Sequence, residues 1–308
     1  MAEKMATREA YGKALVELGA EHENLVVMDA DLSGSTKTKE FAKVYPERFF
    51  NMGIAEQNLY GTAAGLALSG KVVCASTFAM FASGRAFEII RNSIGYTGAN
   101  VKVCATHAGI TVGEDGASHQ TFEDLALMRT IPGMMVVNPS DGVSAKILLK
   151  QVVETYGPAY VRLGRASVPV FYKEDADIKL GKAHQLRDGK DATIIATGIM
   201  VAEAMVAAEK LAEEGIEVRV LDMHTIKPLD EEAVIRAAKE TGKIVTAEEH
   251  SVIGGLGSAV AEVLVREYPV KVKMVGQQDT FGESGKPDEL KAKYGMTSKE
   301  IIEAVKSL

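Results

Sequence analysis

The sequence predicts two α/β domains, each a doubly wound, mostly parallel sheet with helices on both faces. Three observations predict it. Short apolar runs alternate with amphipathic stretches through the first half, the pattern of successive βαβ units. The character then changes over residues 167–190, where two lysine-and-acid clusters, Pro169 and the lack of any sustained period mark a connection. A second alternation follows it. The expected boundaries are 1–172 for the first domain, 173–190 for a linker and 191–308 for the second. A chain of 308 residues suits two domains of this kind.

In the first half the pattern predicts a helix over Arg8–Leu18 and a strand at Leu25–Met28. Ile54–Leu68 is rich in small apolar residues and reads as a helix before the strand Lys71–Ala75. A helix at Gly84–Ser93 leads to the strand Val101–Ala105. Helices at Phe122–Arg129 and Gly142–Val153 flank the strand Met134–Val137, and Ala159–Leu163 closes the set. These strands are unbroken apolar runs, as expected where both faces of a parallel sheet are covered. In the second half, Asp191–Gly198 reads as a strand and its turn. The pairs that follow are helix Val201–Glu214 with strand Glu217–Leu221, helix Glu231–Glu240 with strand Lys243–Ala247, and helix Gly257–Glu267 with strand Val270–Val275. Ser298–Val305 is a last helix.

Composition narrows the function. No run of about 18 apolar residues is present, which excludes a membrane-spanning helix. The charged beginning of the chain lacks the apolar centre of a secretory leader. Cys74 and Cys104 lie in apolar runs and read as buried, reduced thiols, so a cytoplasmic location is expected. The net charge of −7 argues against a general nucleic-acid surface. It leaves room for phosphorylated small molecules, which need only a few local cations.

Three segments carry candidate chemistry. In Asn51–Asn58, Glu56 enters a helix of small apolar residues, where a carboxyl set against a packed wall can serve in acid–base work. Phe78 and Phe81 follow a strand, at the end where open α/β sheets bind ligands. The loop Ala105–Gln120 also follows a strand and gathers His107, His119, Asp115 and several glycines. Its spacing does not suit a metal; imidazoles and a carboxylate suit sugar hydroxyls, and glycines allow close backbone approach. Arg8, Ser35 and Arg165 are scattered candidates for an anion, because the planar guanidinium matches phosphate oxygens. The glycine turn Gly254–Ser258 lacks a full dinucleotide fingerprint and reads as tight packing before a helix. His224 and His250 read as structural.

Together these segments resemble the C-terminal half of transketolase, a thiamine-diphosphate enzyme. The resemblance runs from about Met5 to Leu308. Its most specific motif is Thr106–Gln120, which matches the family's T-H-x-x-I-x-V-G-E-D-G-x-x-H-Q. The resemblance implies a pyrimidine-binding domain followed by a transketolase C-terminal domain. It implies that Glu56 hydrogen-bonds the aminopyrimidine ring of thiamine diphosphate and promotes loss of the thiazolium C2 proton. Phe81 then stacks on that ring, Phe78 lines the same pocket and Asp31 lies close to the cofactor. Arg8, Ser35, His107 and Arg165 match positions that grip a substrate phosphate, and Asp115 and His119 match positions contacting sugar hydroxyls, with His119 near the reacting carbons.

Two departures stand out. Gly84 replaces an aromatic residue, and Glu56-Gln57-Asn58 replaces the more common E-H-A-M. The family's G-D-G with a following Asn, which holds Mg²⁺ and the diphosphate, is not found; Asp115-Gly116 and Asn138 do not form it. The resemblance therefore implies an N-terminal partner subunit that supplies the Mg²⁺ ligands, in an α2β2 assembly with active sites between chains. The expected reaction is transfer of a two-carbon ketol unit from a ketose phosphate such as xylulose 5-phosphate to an aldose phosphate, as in the pentose phosphate pathway. The alternatives are the β subunit of a 2-oxo acid dehydrogenase E1 component and a non-catalytic regulatory homologue.

Overall fold

The structure, a computed structural model, describes residues 3–308. Strand β1 (Lys4–Ala6) runs into helix α1 (Thr7–Glu21), whose start is closed by the Glu9 carboxylate accepting the Ala6 N–H at 3.3 Å. The wholly buried β2 (Leu25–Asp29) is followed by two short helices, α2 (Ser33–Thr36) and α3 (Lys39–Val44), and by β3 (Phe49–Asn51). Then come α4 (Glu56–Leu68), β4 (Val72–Phe78), the single turn α5 (Phe87–Ile89) and β5 (Val101–Thr106). Helix α6 (Asp124–Thr130), β6 (Met135–Val137), α7 (Gly142–Glu154), β7 (Ala159–Arg162) and β8 (Ser167–Pro169) complete this half. The rest of the chain forms β9 (His184–Arg187), β10 (Ala192–Ala196), α8 (Met200–Glu213), β11 (Val218–Asp222) and β12 (Thr225–Lys227). It ends with α9 (Glu231–Thr241), β13 (Lys243–Ser251), α10 (Leu256–Glu267), β14 (Lys271–Gln277), α11 (Pro287–Lys293) and α12 (Ser298–Lys306).

These strands make a seven-stranded sheet in the order β12-β6-β7-β5-β4-β2-β3 and a five-stranded sheet in the order β14-β13-β10-β11-β9. All ladders are parallel except β12 on β6 and β9 on β11, and β1 pairs with β8 in a small antiparallel ribbon. The expected doubly wound α/β class is what the chain adopts. Each sheet is buried because helices cover both faces, and both thiols, Cys74 and Cys104, are buried and free. Among the described residues, no helix is long and apolar enough to cross a membrane.

The structure departs from the sequence reading at several elements, of which four bear on how the halves and the site are built. The segment expected as a linker at 173–190 contains a strand, since β9 pairs along the edge of the second sheet. The halves interlock, because β12 belongs to the second half in sequence but pairs with β6 of the first sheet. The edge strand β3 was missed because its residues are half-buried or exposed and carry no apolar run. The helix expected at 84–93 is instead two stretches of wide π-helical turns, Phe81–Arg85 and Ile90–Tyr96, around α5. Such turns shift side chains off the regular helical faces and are common beside functional sites.

A buried polar cluster ties the halves together. Arg162 at the end of β7 donates to both carboxylate oxygens of Asp124, at 2.8 and 3.2 Å, and to the Glu249 carbonyl of β13 at 2.9 Å. The Tyr160 hydroxyl adds a third bond to Asp124 at 2.7 Å. Beside it the Glu248 carboxylate takes the Leu256 and Gly257 N–H groups at 2.7 and 2.8 Å, so the glycine turn before α10 is filled by the protein's own anion. His250 and His224 are fully buried, and burial pushes each imidazole down to about 4, which fits their structural reading.

Candidate active site

The candidate residues converge at the C-terminal edge of the seven-stranded sheet. Phe78 ends β4, His107 follows β5, Arg165 lies just beyond β7, and Arg8 sits in the first turn of α1. In parallel sheets this edge collects strand-to-helix loops from several units at once, which is why residues far apart in sequence can meet there.

Glu56 is the first residue of α4 and only 3% exposed, on a helix whose buried residues include Leu59, Tyr60 and Ala63. It is not an isolated acid. Arg85 Nη1 lies 3.4 Å from both carboxylate oxygens. The same guanidinium covers the Phe81 ring, 5.1 Å from its centroid. Arg85 follows Phe81 by four residues, a spacing that puts two side chains on one face of a turn and was the available signal for it.

From Phe81 the aromatic contacts are continuous. Phe78 lies 6.0 Å from Phe81 with the rings nearly parallel at 14°. Phe78 in turn stacks on His107, with centroids 3.8 Å apart. His119 stands edge-on to both phenylalanines, at 5.5 and 6.3 Å, and its Nδ1 is 3.0 Å from Ser118 Oγ. Phe78 is buried, whereas Phe81 is only partly so.

His107 occupies the left-handed region at φ 58°, a conformation costly for any residue but glycine and held here by its surroundings. Its Nδ1 is 2.9 Å from Thr106 Oγ1, and its Nε2 faces Arg8 Nη1 at 3.5 Å. A guanidinium can only donate, so this contact places the imidazole proton on Nδ1. Burial pushes the His107 imidazole down to about 3, with Arg8, Arg165, His119 and Lys37 adding to the effect. The ring is neutral at physiological pH, and its Nε2 is an acceptor in a cationic corner.

Arg8 is fixed by donating from Nη1 to the Ser35 carbonyl at 2.8 Å and from Nε to the Arg165 carbonyl at 3.2 Å. Ser35 thus holds Arg8 through its backbone. Arg165 pairs with Glu114 at 2.7 Å and also donates to the Val112 carbonyl. Lys37, with φ 73°, completes the corner and was not picked out in the sequence. Both arginines keep unused N–H donors, which an incoming anion could take.

Asp31 and Asp115 are less engaged. Asp31 is exposed, at φ 64°, and exchanges two hydrogen bonds of 3.0 Å with Asn51. The buried acid of this loop is Asp29, which accepts from Leu32 N at 2.6 Å and from the Thr36 and Thr38 hydroxyls at 2.6 and 2.9 Å. Asp115 is exposed at the end of a tight turn over Ile110–Asp115. That turn is less polar than its sequence suggested, with Ile110 and Val112 fully buried. A cluster of possible metal ligands among the described residues, Glu21, His22 and Glu154, lies at the far end of α1, about 20 Å along the helix from Arg8.

A buried carboxylate paired with Arg85, an aromatic strip continued by imidazoles, and an arginine corner define the class of protein built on this two-sheet α/β frame. Comparison with known proteins names that class. Residues 3–170 match the family model for the transketolase pyrimidine-binding domain, and residues 181–301 match that for the transketolase C-terminal domain. The chain belongs to the transketolase family. It is 54% identical over 301 residues to a putative transketolase C-terminal section of Methanocaldococcus jannaschii, covering 97% of this chain and 94% of that one. It is 46% identical to a 6-deoxy-6-sulfo-D-fructose transketolase subunit of Clostridium sp., covering 96% and 92%. A solved structure described as a split-gene transketolase, in the form of an inactive β4 tetramer, superposes with a TM-score of 0.93 at 58% identity, covering 98% of both chains. The chain thus carries the pyrimidine-binding and C-terminal domains of that family along almost its whole length.

Proposed function

We propose that this subunit, joined by an N-terminal partner carrying the diphosphate-binding domain, transfers a two-carbon ketol unit between sugar phosphates with Mg²⁺ and thiamine diphosphate. The observation that carries this reading is the unbroken strip from Glu56 through Phe81, Phe78 and His107 to Arg8. Its residues fit the cofactor's aminopyrimidine: the buried Glu56 carboxylate to meet a ring nitrogen and the Phe81 ring to stack against, once the half-exposed Arg85 that now spans the two swings aside. Glu56 and Phe81 would hold that ring, with Phe78 behind it and Asp31 nearby. The bound cofactor supplies the nucleophilic carbon that the protein's own side chains lack. Mg²⁺ and the diphosphate are assigned to the partner, and an assembly of two copies of each chain follows. The solved relative made of one kind of chain is described as inactive, which supports the need for a second subunit.

The remaining residues act on the sugar. Arg8 and Arg165, with the neutral His107 between Arg8 and Phe78, receive the terminal anion. His119, edge-on to both rings, faces the sugar hydroxyls with Asp115 and moves a proton at the reacting carbons. The arginine corner favours sugar phosphates over the uncharged tails of 2-oxo acids. A sulfonated sugar such as the one named for the clostridial relative also ends in a tetrahedral anion, so the same corner suits either.

Arg8→Ala and Arg165→Ala, assayed in the complex with the partner, are expected to raise KM for xylulose 5-phosphate by about 10- to 100-fold, the worth of a charge-assisted hydrogen bond. KM for unphosphorylated xylulose should change by less than about twofold. Equal effects on both sugars would remove the anion clamp from this reading.

A further inference from the structure

We propose that Glu249, from the second half of the chain, is a positioning residue that sets the loop 107–120 for catalysis. The proposal rests on the reading of that loop as the substrate-binding one. It gives the second domain a direct part in the active site.

Glu249 lies near the end of β13 and is only 3% exposed. Its Oε1 accepts the Thr111 N–H at 2.7 Å, at the opening of the Ile110–Asp115 turn, where backbone donors lack partners within the turn itself. Gly109, at φ 81°, presses on the same carboxylate, and a Cβ there would collide with it. Only a glycine combines that backbone conformation with that approach. Glu249 is itself held by Arg162, which donates to its carbonyl at 2.9 Å and lies 3.9 Å from its Oε2. Burial raises the Glu249 carboxyl, and Arg162 and the Thr111 bonds oppose the shift.

The other end of the loop is tied to the second half as well. Gln120 Nε2 donates to the Glu283 carbonyl at 2.9 Å and to the Ile110 and Gly113 carbonyls at 3.3 Å. His107 stands two residues before Gly109, and His119 stands one before Gln120. Both imidazoles that touch Phe78 are therefore aimed by a loop clamped from the other domain. Releasing the Glu249 end should loosen that aim without touching the cofactor-facing Glu56.

The test has two arms. Hydrogen exchange on the full chain should show the amides of residues 109–120 in Glu249→Ala exchanging at least about tenfold faster, with β2 and β4 unchanged. In the complex, Glu249→Ala should lower kcat/KM for the ketose phosphate by about 10- to 100-fold, the scale of a small misplacement, with thiamine diphosphate affinity unchanged within about twofold. Glu249→Gln keeps the accepting oxygen and should stay within about threefold of wild type in both arms. Unchanged loop exchange in Glu249→Ala overturns the proposal. So does equal damage in Glu249→Gln, or faster exchange throughout the sheets. A wild-type complex without ketol transfer would overturn the proposed function instead, and the exchange arm would still decide whether Glu249 holds the loop.

Discussion

Glu56→Gln is expected to lower kcat/KM of the reconstituted enzyme by about 10²- to 10⁴-fold, the range of general acid–base contributions. The change is nearly isosteric, so the buried surroundings of the side chain survive. Arg85, with its side chain 56% exposed, loses its partner but is left facing solvent, so no buried cation is stranded. Thermal unfolding should shift by less than about 2 °C, which separates a chemical defect from a folding one. Glu56→Ala should be at least as severe. Activity within about threefold of wild type in Glu56→Gln would remove the carboxylate from the reaction.

The largest structural effect is expected at Arg162. Arg162→Met leaves Asp124 with no cation in a site where its carboxylate is fully buried, and breaking one side of such a pair costs about 3–5 kcal/mol. The thermal midpoint should fall by about 10 °C. Burial pushes the Asp124 carboxyl up, but Arg162 and His250 more than offset this and hold it below the usual carboxylate range. Because the folded value lies under the unfolded one, the stabilisation is present at neutral pH and is lost as pH falls below about 4. Differential scanning calorimetry of wild type and variant at pH 7 checks the size. A shift under about 2 °C would mean that the cluster does not join the two halves energetically.

The parallel strands were legible because burial on both faces leaves an unbroken apolar signature. Val101–Ala105 was read within one residue of β5, and Ala159–Leu163 within one of β7. Elements whose place depends on a distant partner were not. Thr225–Lys227 has no local reason to join the first sheet, and His184–Arg187 only becomes a strand because β11 offers an edge. In the site, residues on one motif were readable: Phe78, Phe81, His107 and His119 do meet. Arg85 left a faint trace in its spacing from Phe81. Glu249 left none, since 138 residues separate it from the Thr111 N–H it accepts. Ser35 and Asp31 show another limit. Their loop was located correctly, but the sequence did not reveal that Ser35 acts through its carbonyl or that Asp29 is the buried acid.

The central claim is that this chain holds the pyrimidine and sugar side of a transketolase site that a second chain completes. The direct test is xylulose 5-phosphate cleavage with Mg²⁺ and thiamine diphosphate, measured for this chain alone and with the N-terminal subunit added in equal amounts. Turnover should appear only with both chains, reach a plateau at one partner per chain, and stay at background for either alone. Full turnover by this chain without a partner would contradict the account.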